Sequence, residues 1–140
     1  MNDNFNPTKQ DLFLLNWLLL IFILVVAMII IGGITRITDS GLSMVEWRPF
    51  LGFLPPLNHP EWERVFDLYK NTPEYSFYNK GMLLSEFKFI FFWEYFHRLW
   101  GRIIGIVFII PFLYIIVTKK IEKSITVRLM IILFFGSLQA

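Results

Sequence analysis

No cysteine occurs in the 140-residue chain, so no disulfide can hold any part of it together. Histidine is scarce: His59 and His97 are the two imidazoles available for acid–base chemistry or metal ligation. No internal repeat is present. The net charge is only +2, and the basic residues form no face suited to nucleic acid. What the chain has in abundance is apolar surface. Hydrophobic residues make up 56% and aromatic residues 19%, with a mean hydropathy of +0.57. A soluble domain of this length cannot bury so much, and a membrane is the natural destination.

The run from Leu12 to Ile31, "LFLLNWLLLIFILVVAMIII", carries no charge, and Asn16 is its one strongly polar side chain. Its length matches the roughly 20 residues that cross a hydrocarbon core about 30 Å thick. It is too long for the apolar region of a signal peptide, and no small-x-small cleavage site follows. A second uncharged run extends from Ile103 to Thr118. As a helix it rises only about 24 Å, so a full crossing also needs part of the preceding segment and predicts a helix over 89–118. A third run, 127–140, rises about 21 Å and reads as the start of another span. The expectation is therefore an N-terminal part of a longer protein, with a tail over 1–11 and a basic loop over 119–126.

Charge sets the orientation. Lys119, Lys120, Lys123 and Arg128 crowd one short connection against Glu122 alone. The 32–88 connection mixes Arg36, Arg48, Arg64, Lys70, Lys80 and Lys88 with seven acidic groups from Asp39 to Glu86. The dense basic loop belongs on the cytoplasmic side, with the N-terminal tail beside it, and 32–88 lies outside. Gly32, Gly33 and Gly41 mark turns there, while Pro49, Pro55, Pro56 and Pro60 interrupt long helices. Its aromatics, among them Trp47, Trp62 and Phe66, argue for an ordered cap with short helices, one of them near 61–69. The fold class is all-α and integral to the membrane: a transmembrane helical bundle with a short-helix outer cap.

The chemistry concentrates in "WEYFHRLWGR", residues 93–102. On a helix, Glu94, His97, Gly101 and Gly105 follow one face at spacings of three and four, and Arg98 and Arg102 form an adjacent stripe. An imidazole followed by two glycines leaves a flat strip against which a large planar ligand could lie. Haem suits it: imidazole is a common axial ligand, guanidiniums pair with propionates, and Phe92, Trp93, Phe96 and Trp100 suit a macrocycle. Plainer readings stand beside this one. The arginines could snorkel to lipid phosphates, the glycines could form a GxxxG helix contact, and Glu94 could simply pair with Arg98. His59, in "PPLNHPEW", reads as a surface or loop-packing residue.

Several stretches in order, "GGITRITDSGLSMVEWRPFLGFLPPL" (32–57), "TPEY" (72–75), "NKGMLLSEFKFIFFWEYFHRLWGRIIG" (79–105) and "FFGSLQ" (134–139), closely resemble haem A synthases of the cysteine-less class found in mitochondria and related bacteria. The resemblance runs from about 31 to 139. It implies an eight-helix membrane enzyme of two similar four-helix halves, which oxidises a ring methyl group of haem O to a formyl group and so makes haem A for cytochrome oxidase. It further implies that His97, in the E-x-x-H element, is an axial ligand to the iron of the substrate haem and metal-binding in that sense. Glu94 would take part in the chemistry, accepting or relaying a proton. Arg98, Arg102, Arg36 or Arg48 would anchor propionates, with Gly101 and Gly105 in the haem site.

The second axial histidine and the haem b cofactor of the other half have no counterpart in this chain, so the 140 residues alone are expected to be inactive. Partners implied are the lipid bilayer, an electron donor, the farnesyltransferase that makes haem O, and the oxidase assembly machinery, with no nucleic acid. The alternative function is a non-catalytic membrane haem-binding or electron-transfer protein. The tail "MNDNFNPTKQD" lacks the Arg-rich, acid-poor character of a transit peptide, which favours a bacterial inner membrane over a mitochondrial one.

Overall fold

The computed structural model describes residues 8–46, 54–118 and 121–139, and every regular element among them is helical. In order these are α1 (Lys9–Ile37), α2 (His59–Lys70), α3 (Pro73–Tyr78), α4 (Leu84–Thr118) and α5 (Lys123–Ser137). Two of them, α1 with 29 residues and α4 with 35, are long and apolar enough to cross a membrane. Both helices run beyond their uncharged stretches, because backbone hydrogen bonding continues wherever the next residue tolerates helical geometry, whatever its polarity. Helix α1 passes straight through Gly32 and Gly33, where the sequence suggests turns. A glycine weakens a helix by about 1 kcal/mol without stopping it. Large apolar side chains point outward along both, among them Leu15, Phe22, Ile29, Ile30 and Ile110, each at least 60% exposed. Two helices of this length with so much apolar surface facing outward are those of a membrane protein.

The chain divides into two compact units, Met1–Ala27 with Gly101–Ala140, and Met28–Trp100. In the first, Trp17 of α1, Phe108, Phe112 and Ile115 of α4, and Leu129 of α5 form a buried cluster. The Trp17 and Phe108 rings lie 5.2 Å apart. Pro111 sits inside α4. Having no N–H, it leaves the carbonyl four residues earlier, that of Val107, without its helical partner. The Trp17 indole N–H donates to that carbonyl at 2.9 Å. A side chain from a neighbouring helix thus satisfies the backbone group that the proline frees, which is what permits proline in a helix with no water to turn to.

The second unit holds the cap. Helix α2 starts at Asn58, whose side chain accepts from the Glu61 N–H at 2.9 Å, with Pro60 in the first turn. Helix α3 starts similarly at Thr72, which accepts from the Tyr75 N–H, followed by Pro73. Phe66 and Tyr69 of α2 pack on Phe87, Ile90 and Phe91 of α4, with the Phe66 and Phe87 rings stacked 4.9 Å apart. Tyr69 is wholly buried, and burial pushes its hydroxyl above the ordinary value even though Asn79 donates to it at 2.7 Å. Arg64 of α2 pairs with both carboxylate oxygens of Glu46, at 2.8 and 3.1 Å, which raises its guanidinium still further above neutrality. The cap is thus fastened to the first turns of α4 by aromatic packing.

The Trp17 contact yields a coupled expectation. Trp17→Phe keeps a ring in the cluster but leaves the Val107 carbonyl unmet, and should lower stability by about 1–2 kcal/mol in reversible unfolding from mixed micelles. In a Pro111→Ala background the restored N–H takes over that carbonyl, and the same change should cost less. Equal losses in both backgrounds would show that the indole does not serve the proline's missing bond.

Candidate functional site

Helix α1 ends in a tight reversal. The Ser40 N–H returns to the Thr35 carbonyl at 2.9 Å and the Asp39 N–H to Arg36 at 3.3 Å. Asp39 takes the left-handed conformation with φ of 50°. This is the paired capping pattern that most helices complete with glycine, and Asp is among the few other residues that tolerate the conformation. Asp39 turns the chain out of the helix, and Gly41 lies, as its sequence suggests, in the turn that follows, closed by the Ser43 N–H on the Ser40 carbonyl at 3.2 Å. The reversal buries Ser40 and Ser43 almost completely and turns the following backbone toward α4.

There it meets Glu94, which is 3% exposed. Glu94 Oε2 accepts from the Ser43 hydroxyl and from the Met44 backbone N–H, each at 2.7 Å. Its other oxygen, Oε1, pairs with the Arg98 guanidinium one turn along α4. Three donors converge on a group that offers only acceptors when ionised, so these are the surroundings of a carboxylate. An isolated charge at this depth would be costly, and the contacts are what make it tolerable. The Arg98 pairing was legible from the four-residue spacing. The Ser43 and Met44 contacts were not, because nothing local in "SGLSM" says that its serine will reach a residue 51 positions later.

His97 lies one turn beyond Glu94 on α4 and is partly buried. Neither of its ring nitrogens makes a hydrogen bond or ion pair among the described residues. Its ring rests on α1 at Gly32: a Cβ built there would stand 3.1 Å from Nε2 and 3.6 Å from Cδ2. Gly101, Arg102 and Gly105 continue α4 within the other unit, all partly buried. Around a Gly105 Cβ there is open space, with nothing described within 4 Å. The close helix contact that a GxxxG pair would make is therefore not formed at Gly105 among the described residues.

The aromatics line up as expected from their spacing, with Phe92 and Phe96 stacked at 5.9 Å and Phe96 5.7 Å from Trp100. Trp93 Nε1 is buried without a partner among the described residues, a donor next to Glu94 in the chain that the sequence did not signal. Arg36 is exposed in the last turn of α1, and Arg48 lies outside the described residues. His59 is exposed at the start of α2 with Glu63 3.5 Å away, away from this chemistry. No cluster of three or more metal-ligating side chains occurs among the described residues. The donor set accordingly suits a haem, which takes one imidazole from a given helix, better than a metal ion caged by side chains. An imidazole whose nitrogens make no hydrogen bond among the described residues, with the Arg98 guanidinium next to it in the chain, fits that group.

The family profile described as cytochrome oxidase assembly protein, COX15-CtaA, matches residues 15–140. The chain is 51% identical over 123 residues to heme A synthase of Nitrosomonas eutropha and 50% identical to that of Nitrosospira multiformis, in each case over 88% of this chain and 35% of the relative. To heme A synthase of Granulibacter bethesdensis it is 43% identical over 131 residues, 94% of this chain and 35% of the relative. The chain thus spans about a third of the length of these relatives. No solved structure matches it. With almost its whole length inside the profile, the chain belongs to the COX15-CtaA family of cytochrome oxidase assembly proteins.

Proposed function

We propose that the chain serves haem A synthesis, the oxidation of a ring methyl group of haem O to a formyl group, as part of a bacterial inner-membrane enzyme. The observation that carries this reading is the pairing on one helix of an uncommitted imidazole, His97, with a buried and fully hydrogen-bonded carboxylate, Glu94, one turn away. Relatives about half identical to this chain over the 123 residues matched, a stretch that covers 35% of their own length, are named heme A synthase. The haem substrate supplies the iron and the methyl carbon to be oxidised. His97 binds the iron through a ring nitrogen that no protein group occupies. Arg102 and Arg98 offer guanidinium donors to the propionates, Arg98 while also paired with Glu94. Gly101 and Gly105 leave the strip beside His97 free of side chains. No residue of this chain is assigned to the haem b cofactor of such enzymes.

Glu94 takes the proton role. Ser43, Met44 and Arg98 hold its carboxylate in one orientation; two of these donors fill Oε2, so a proton arriving there must displace one of them, whereas Oε1 carries Arg98 alone. The Ser43 hydroxyl can give way, since it can turn from donating to Glu94 to accepting from it. The cap lies on the outer side and the Lys123 and Arg128 end of α5 on the cytoplasmic side, as the charge bias requires. The bilayer, an electron donor, the haem O farnesyltransferase and oxidase assembly factors are the partners of such an enzyme.

Two measurements in the full-length protein test these assignments. His97→Ala should sharply lower bound haem and alter its optical spectrum, and unchanged haem content and spectrum would remove His97 from the ligands. Glu94→Gln should retain haem but stop formation of the formyl product, and Ser43→Ala should retain haem while slowing that step severalfold. Product analysis showing wild-type conversion in Glu94→Gln would end the proton role and leave Glu94 as a structural tie. Formyl haem absent from the wild type itself would favour a haem-binding or electron-transfer protein.

A further inference from the structure

Gly32 and Gly33 are adjacent, both inside α1, and neither has the positive φ that calls for glycine. Backbone conformation therefore explains neither of them, and each weakens the helix by about 0.5–1 kcal/mol relative to alanine. Their surroundings differ sharply. Around Gly33 a Cβ would meet nothing within 4 Å, whereas at Gly32 it would meet the His97 ring, 3.1 Å from Nε2. A contact that short is tighter than nine in ten such contacts, so the ring would have to give by a few tenths of an ångström.

The Gly32 carbonyl is already taken, since the Thr35 hydroxyl donates to it at 2.7 Å. The imidazole thus rests on α1 by van der Waals contact, with no hydrogen bond to hold it. We infer that Gly32 is the positioning residue for His97: a side-chain-free patch of α1 against which the imidazole is set by packing alone, leaving its nitrogens unbonded for the haem iron. A hydrogen bond to Nε2, the ring atom nearest Gly32, would orient the ring as well, but it would occupy one of the two nitrogens through which an iron can be bound. The inference rests on the haem reading of His97, and Gly33 is its internal control.

The test compares Gly32→Ala, Gly33→Ala and His97→Ala in the full-length protein purified from membranes. One readout is the optical and paramagnetic resonance spectrum of bound ferric haem, which responds to the angle and strength of the axial imidazole. The other, on haem-free protein, is the rate at which diethyl pyrocarbonate modifies His97, followed by mass spectrometry. Gly32→Ala should shift the resonance positions or lower haem retention severalfold, and change the modification rate of His97. Gly33→Ala should match the wild type in both.

If Gly32→Ala behaves like Gly33→Ala while His97→Ala loses haem, the positioning role is overturned and the haem reading stands. If His97→Ala changes nothing, the haem reading falls and takes the inference with it. Should Gly32→Ala fail to accumulate, the double variant with His97→Ala decides. Recovery once the ring is removed supports the steric contact, and continued failure overturns it.

Discussion

A carboxylate buried to 3% exposure organises the unit Met28–Trp100. Charge at that depth persists only with donors around it, and the donors that Glu94 gathers come from two places: Arg98 on its own helix and the turn that follows α1. Meeting the electrostatic demand therefore draws the 40–44 segment onto α4 next to the His97 turn. The left-handed Asp39 and the buried Ser40 read as parts of the same arrangement, since the chain must reverse sharply after Ile37 for Ser43 to arrive. One charge thus ties local turn geometry, helix contact and candidate chemistry together.

The other unit obeys the same rule with an uncharged group. Pro111 leaves a carbonyl unpaired within a helix that has no water to turn to, and the Trp17 indole meets it. In both units a polar group that its own helix cannot satisfy is met from another segment. The apolar surfaces around these contacts are plentiful and unspecific, whereas the few polar contacts have one geometry each. Register between segments is set by those contacts more than by the Leu and Ile side chains that outnumber them.

His97 presents the reverse case. Its ring is held by a missing side chain at Gly32 and keeps its nitrogens free, while Glu94 one turn away has both oxygens engaged. A site that binds a metal-bearing ligand and moves protons needs both kinds of residue: an uncommitted ligand, and a carboxylate whose donors can be exchanged. Their proximity on α4 follows from helical spacing, and their different states follow from what faces each of them across the unit.

Much of this was legible in the linear chain, because it depends on neighbours three or four residues apart or on the length of an apolar run. The membrane class, the two long helices, a short helix near 61–69, the Glu94–Arg98 pair and the shared face of Glu94 and His97 are of that kind. The extent of α1 was less so: Gly32 and Gly33 resemble a turn until one sees that one of them makes room for a ring. Pro111 lies inside the apolar run 103–118, and nothing in that run points to the indole that meets the carbonyl it frees. The sequence by itself determined that the chain enters a membrane and carries Glu94 and His97 on one helical face. Only the tertiary structure decided that Ser43 and Met44 close on Glu94, that Gly32 faces His97 and that Trp17 reaches Val107, since each joins residues fifty or more positions apart and no local periodicity encodes such distances.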